Sequence, residues 1–83
     1  MNFLFTFENI HYVMIAEEIL KVEKIDYNLI PTPESISKQC GMSLEIDDTL
    51  KDKTVATLKD KGINSFKIYE ENEKKRRPDG EKD

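Results

Sequence analysis

The sequence predicts an α+β domain in which a four-stranded antiparallel sheet carries two helices on one face. Three observations lead there. Four short segments place apolar residues at every second position, two longer segments place them at spacings of three and four, and the order along the chain is strand, helix, strand, strand, helix, strand. Each β-α-β half is too small to bury its sheet face alone. Two halves together suggest the ferredoxin-like split arrangement, with the first and third strands adjacent in the centre.

Phe3, Phe5 and Phe7 alternate with Asn2, Leu4 and Thr6, which sets strand one at residues 2–7. From Ile10 to Lys24, Val13, Ala16, Ile19 and Leu20 recur at helical spacing between Glu17, Lys21 and Lys24. Asn9 supplies the cap of this helix, its side-chain oxygen taking a free N–H of the first turn. Tyr27, Leu29 and Pro31 alternate with Asn28 and Ile30 in a second strand, which the proline marks as an edge. Thr32 followed by Pro33 reads as a cap and first-turn proline, predicting a short helical turn to about Lys38. Met42, Leu44 and Ile46 then alternate with Ser43 and Glu45 in strand three. Asp47 or Asp48 caps a second helix carrying Leu50, Val55 and Leu58, and Gly62 stands where it should end. Phe66 and Ile68 alternate with Lys67 and Tyr69 in strand four.

The expected core is Phe3, Phe5, Phe7, Val13, Ala16, Leu20, Leu44, Ile46, Val55, Leu58 and Phe66. A single domain should occupy residues 1–70. Residues 71–83 offer no apolar side chain to a core and are expected to form a disordered charged tail.

Eighty-three residues suffice for one domain, which buries only about 60% or a little more of its unfolded surface. The core is therefore thin, and a wide catalytic cavity is not expected. Charged residues make up 36% of the chain and the formal net charge is −4, which argues against sequence-independent binding to nucleic acid. The basic run Lys74-Lys75-Arg76-Arg77 lies among Glu70, Glu71, Glu73 and Glu81 and reads as a solvated polyampholyte. The apolar start, Met1 to Phe7, has no basic leading region and is closed at once by Glu8, unlike an export signal. No run approaches the ~20 apolar residues that span a membrane. A cytoplasmic protein with a reduced thiol is expected.

Cys40 is the sole cysteine, so an intramolecular disulfide is excluded and any redox or transfer chemistry involves a partner. It lies between elements and beside Gly41, a residue type that permits unusual backbone angles. In the predicted topology strand one ends, helix one begins, strand two ends, strand three begins and helix two ends at one edge of the sheet. That places Cys40 near Glu8, Asn9, Ile10 and His11, where the positive end of the helix dipole favours a thiolate. Pro31, Thr32 and Pro33 shape the turn, Gly41 leaves the approach uncrowded, Lys38 is a local cation, and Lys61 is expected at the same edge. The plainer reading makes Cys40 a small, partly buried hydrophobe beneath strand three.

The sole histidine, His11, occupies a helical position that a solvent-facing polar residue fills without function. One cysteine and one histidine fall short of the four ligands zinc usually takes, so no metal site is expected. Three scattered glycines make no phosphate loop, and no cofactor is expected. Glu17, Glu18 and Glu23 read as a solvated helix face.

The stretch Pro31-Thr32-Pro33-x-x-Ile36-Ser37-x-x-Cys40-Gly41-x-x-Leu44, preceded by Ala16-Glu17-x-x-Leu20-Lys21, resembles the small bacterial family of selenium/sulfur carrier protein-like domains over roughly residues 3–69. The resemblance implies a non-enzymatic carrier that holds sulfur or selenium on Cys40 as a persulfide or selenopersulfide. Its partners would be sulfur- or selenium-donor and acceptor proteins. Two positions depart from the pattern: Ile10 stands where relatives often carry a hydroxyl residue, and Glu34 where they often carry a basic one. The second departure removes a positive charge that would help lower the thiol pKa. His11 receives no role from the resemblance. A competing reading, by fold analogy, is an interaction or regulatory module in which Cys40 is structural or redox-sensing.

Overall fold

The computed structural model describes residues 1–36 and 41–71. The alternating segments form β1 (Asn2–Phe7), β2 (Asn28–Pro31), β3 (Met42–Asp47) and β4 (Phe66–Glu71), and the helical ones form α1 (Ile10–Val22) and α2 (Lys51–Asp60). The sheet order is β2-β3-β1-β4 with every pair antiparallel, the ferredoxin-like arrangement, and β1 and β3 lie side by side in its centre. β4 runs two residues beyond Tyr69, so Glu71 pairs with Asn2 instead of opening a tail. The rest of the expected tail, residues 72–83, lies outside the described residues.

Register decides which side chains meet the helices. Phe3, Phe5 and Phe7 stand opposite Glu70, Ile68 and Phe66 of β4, and Phe3 and Phe5 stand opposite Ile46 and Leu44 of β3. These residues share one face, and Phe5, Phe7, Leu44 and Ile46 pack there with Val13, Ala16 and Leu20 of α1 and Leu58 of α2. Phe66 stacks at 5.6 Å on Phe5 and tilts at 5.9 Å against Phe7. Phe3, Val55 and Phe66, expected in the core, are only half-buried against it. Each sits near the rim of a thin layer; the Lys51 ammonium lies 4.9 Å above the Phe3 ring.

Leu4, Thr6 and Ser43 point to the opposite face by the same alternation, yet they are 2%, 5% and 0% exposed. The central strands are thus buried on both sides, which period-two reading alone does not reveal.

Both helices end in the same way, and this was only half anticipated. After α2, Gly62 adopts φ +87, its N–H donates to the Lys59 carbonyl at 3.0 Å, and the Ile63 N–H reaches back to Leu58 at 2.9 Å. After α1, Lys24 adopts φ +60, its N–H donates to Lys21 at 3.2 Å, and the Ile25 N–H reaches back to Leu20 at 2.9 Å. Each is a Schellman closure, in which the residue after the left-handed position folds onto the last turn. Ile25 and Ile63 are consequently buried beside Leu20 and Leu58. α1 ends at Val22, two residues short of the expected Lys24, because the left-handed turn begins there.

At the start of α2, Asp47 caps a single 3₁₀ turn (Asp48–Leu50) that leads into the helix. The Thr49 hydroxyl and N–H both donate to the Asp47 carboxylate and hold its pKa below the usual value. Tyr27, just ahead of β2, donates its hydroxyl to Glu17 of α1 at 2.7 Å. Burial, and after it the Glu17 carboxylate, push the Tyr27 hydroxyl up to about 12.

Three outcomes follow from this packing. Leu44→Ala, at a fully buried position, should lower unfolding free energy by about 2–5 kcal/mol in denaturant titration; a loss under about 0.5 kcal/mol would contradict the register. Lys24→Gly should raise stability by roughly 0.5–1 kcal/mol, because glycine adopts the left-handed conformation without a Cβ penalty. Tyr27→Phe should be less stable than wild type at neutral pH. The folded pKa lies above the unfolded one, so the tyrosine's contribution is complete below pH 10 and is lost as pH climbs toward 12. The gap between the two melting temperatures should therefore narrow across that window.

Candidate functional site

The strand register brings the ends of several elements to one edge. Pro31 closes β2 opposite Met42, and with Phe5 opposite Leu44 the end of β1 at Phe7 lies beside the start of β3. Two residues beyond Phe7, Asn9 begins α1. It is extended, its side-chain oxygen accepts from the Tyr12 N–H at 3.2 Å, and its carbonyl takes the Val13 N–H at 3.3 Å. Asn9 is therefore the cap that its position predicted. The Ile10 and His11 N–H groups remain at the mouth of the helix, where no intrahelical acceptor exists, and together they carry its positive dipole end. The Ile10 side chain is 51% exposed at this edge.

Across the edge, the β2–β3 ladder continues one step past its last strand pair. The Thr32 N–H donates to the Gly41 carbonyl at 2.9 Å, and the Thr32 and Ser43 hydroxyls share a close hydrogen bond. Together these contacts form the neck of the loop that contains Cys40. On the outgoing side the Ile36 N–H donates to the Pro33 carbonyl at 2.9 Å, closing a turn over residues 34–36.

Thr32 therefore does not cap a helix. Its hydroxyl is taken by Ser43, eleven positions along the chain, and its backbone belongs to the ladder. Pro33 stands at the start of the turn, as its fixed φ suits. Ser43 is the site residue that sequence reasoning missed. Its signal was faint: a serine on the outward phase of β3, whose partner hydroxyl comes from beyond the neighbouring strand.

The place where a Gly41 Cβ would stand is empty out to 4 Å. Its contribution is an open approach. Cys40 and Lys38 lie outside the described residues.

Charge at the edge differs from expectation. Lys61 is not there: its ammonium is 4.0 Å from Glu23, and it lines a groove with Ile15, Glu18, Ile19 and Val22, toward the far end of α1. Element order alone had placed α2's end beside Asn9, but the way the helices cross carries Lys61 away. Glu8 and Glu34 are exposed at the loop edge, and His11 is exposed with its ring 6.0 Å from Tyr12 in an edge-on contact. Among the described residues no three His, Cys, Asp or Glu side chains are grouped to hold a metal. No helix among them is long and apolar enough to cross a membrane.

A family model described as putative Se/S carrier protein-like matches residues 2–70. No curated protein and no solved structure shows a significant match. The family match takes in both helices and all but the last residue of the sheet, along with the Pro31–Gly41 loop and its single cysteine. On that coverage the chain belongs to the Se/S carrier protein-like family.

Proposed function

We propose that the protein is a non-enzymatic carrier that holds sulfur, or selenium in its place, on Cys40 and delivers it to an acceptor protein. The observation that carries this reading is the family match across residues 2–70. The fold supports it physically. Cys40 is one peptide bond from Gly41, so their Cα atoms are about 3.8 Å apart, and Gly41 is fixed to Thr32 at the edge that also holds the mouth of α1. Backbone N–H groups at that mouth favour an anion, which is the reactive form of a thiol. Gly41 leaves the approach open to a docking protein.

The transfer is a thiol–persulfide exchange. The Cys40 thiolate attacks the terminal sulfur of a donor persulfide. The donor's S–S bond breaks, its electron pair leaves on the donor thiolate, and a new S–S bond joins the terminal sulfur to Cys40. In delivery an acceptor thiolate attacks that terminal sulfur and Cys40 departs as the thiolate. One S–S bond replaces another in each step, so no external oxidant or reductant is consumed. A reducing cytoplasm suits this chemistry because it keeps the resting thiol free. The partners are then donor and acceptor proteins that bring their own active sites to the exposed edge.

Incubation with a cysteine desulfurase and cysteine should add the mass of one sulfur atom to the intact wild-type protein. A thiol reductant should remove it, and Cys40→Ser should not acquire it. Wild-type protein that gains no such adduct would contradict the carrier reading.

A further inference from the structure

The two helices share the task of covering the sheet, but their outer sides differ. α2 exposes Asp52, Lys53, Lys59 and Asp60 to solvent, as a helix with one buried face should. α1 turns Val13, Ala16 and Leu20 to the core and still carries apolar side chains away from it. A single exposed apolar residue is ordinary on a protein surface. On α1, however, three adjoin. Ile15, Ile19 and Val22 follow one another at spacings of four and three, which puts them on one flank of the helix, and they line a groove that Glu18 and Lys61 complete. Val22 is 66% exposed there.

The charges decide what fits this groove. Lys61 is paired with Glu23 at 4.0 Å, but both side chains are close to half exposed, so the ammonium remains open to a second carboxylate. Glu18 is exposed and makes no ion pair among the described residues. A partner surface of one sign would answer only one of the two. A second copy of the same groove, turned about a two-fold axis that passes between Glu18 and Lys61, answers both: each Glu18 meets Lys61 of the other copy, and the aliphatic side chains meet one another.

We infer that the groove of Ile15, Ile19 and Val22 is a self-association surface, at which two copies of this chain pair about a two-fold axis through reciprocal Glu18–Lys61 contacts. The inference stands apart from the carrier reading. Val22 lies about 18 Å along α1 from Ile10, so the groove and the edge that holds Pro31 and Gly41 belong to opposite ends of the helix, and one can be covered without the other. Five residues line the groove, against roughly 20–30 a side in a standard interface. The dimer is therefore weak, with a dissociation constant of about 10–300 μM.

The test is sedimentation equilibrium of the full chain from about 10 μM to about 1 mM, with circular dichroism showing each variant folded. Wild type should pass from monomer toward dimer across that range. Val22→Glu should raise the dissociation constant by about tenfold or more. Met14→Glu makes the same charge change at a residue of α1 that is 61% exposed but outside the groove, and it should change the constant by less than about threefold. Glu18→Lys and Lys61→Glu should each weaken pairing by about fivefold or more, because like charges then face one another. Mixed together, those two variants should pair within about threefold of wild type, since every charge contact between unlike chains again joins opposite signs. A wild type still monomeric at about 1 mM would overturn the inference and leave the groove to a partner of other chemistry. A Met14→Glu effect as large as that of Val22→Glu, or a mixture that pairs no better than its two components, would overturn it as well.

Discussion

The register of β3 is the constraint on which the rest depends. Leu44 stands opposite Phe5 on one side and Leu29 on the other, and that double pairing fixes at once which face is buried and which edge holds Gly41. A slip of one residue on either side would turn Leu44 and Ile46 outward and bring Ser43 into the helix-covered face. It would also separate Thr32 from both Gly41 and Ser43. The apolar contacts that stabilise the sheet and the polar contacts that close the loop neck are therefore set by the same alignment.

Around that alignment the domain spends few residues. Two helices suffice to cover the sheet because each is closed by a left-handed residue that folds the next isoleucine back against it, so Ile25 and Ile63 extend the core beyond the helix ends. In a chain too short for a deep interior, such contributions from connecting residues matter. The result is a thin layer with an exposed edge, to which, on the proposed reading, donor and acceptor proteins bring their own active sites. Such a scaffold suits the passing of an atom between proteins better than the enclosure of a substrate.

Legibility followed how local each determinant was. β3 could be read outright because Met42, Leu44 and Ile46 declare a period of two, and Asn9 could be read as a cap because its acceptor role is satisfied within the first turn. Thr32 was misread for the complementary reason: Thr-Pro is a local helix-start signal, but the partner that claims the hydroxyl, Ser43, is brought to it by strand pairing. Lys61 was misplaced because the order of elements fixes which strands are neighbours and not the angle at which two helices cross. Ile25 escaped notice because its left-handed predecessor is Lys24, where a glycine would have announced the turn. The burial of Leu4, Thr6 and Ser43 on the second sheet face leaves no trace in the alternation pattern.

The central proposal is that a thiolate on Cys40, the covalent neighbour of Gly41, is stabilised by the backbone dipoles at the open end of α1, the edge to which the register brings Gly41. It is tested most directly by following the Ile10 and His11 backbone amides by nuclear magnetic resonance while the Cys40 thiol is titrated, with Cys40→Ser as the reference. The account predicts that both amide resonances move with the ionisation of the thiol and that the movement vanishes in the serine variant. Resonances that stay still while the thiol ionises would contradict it.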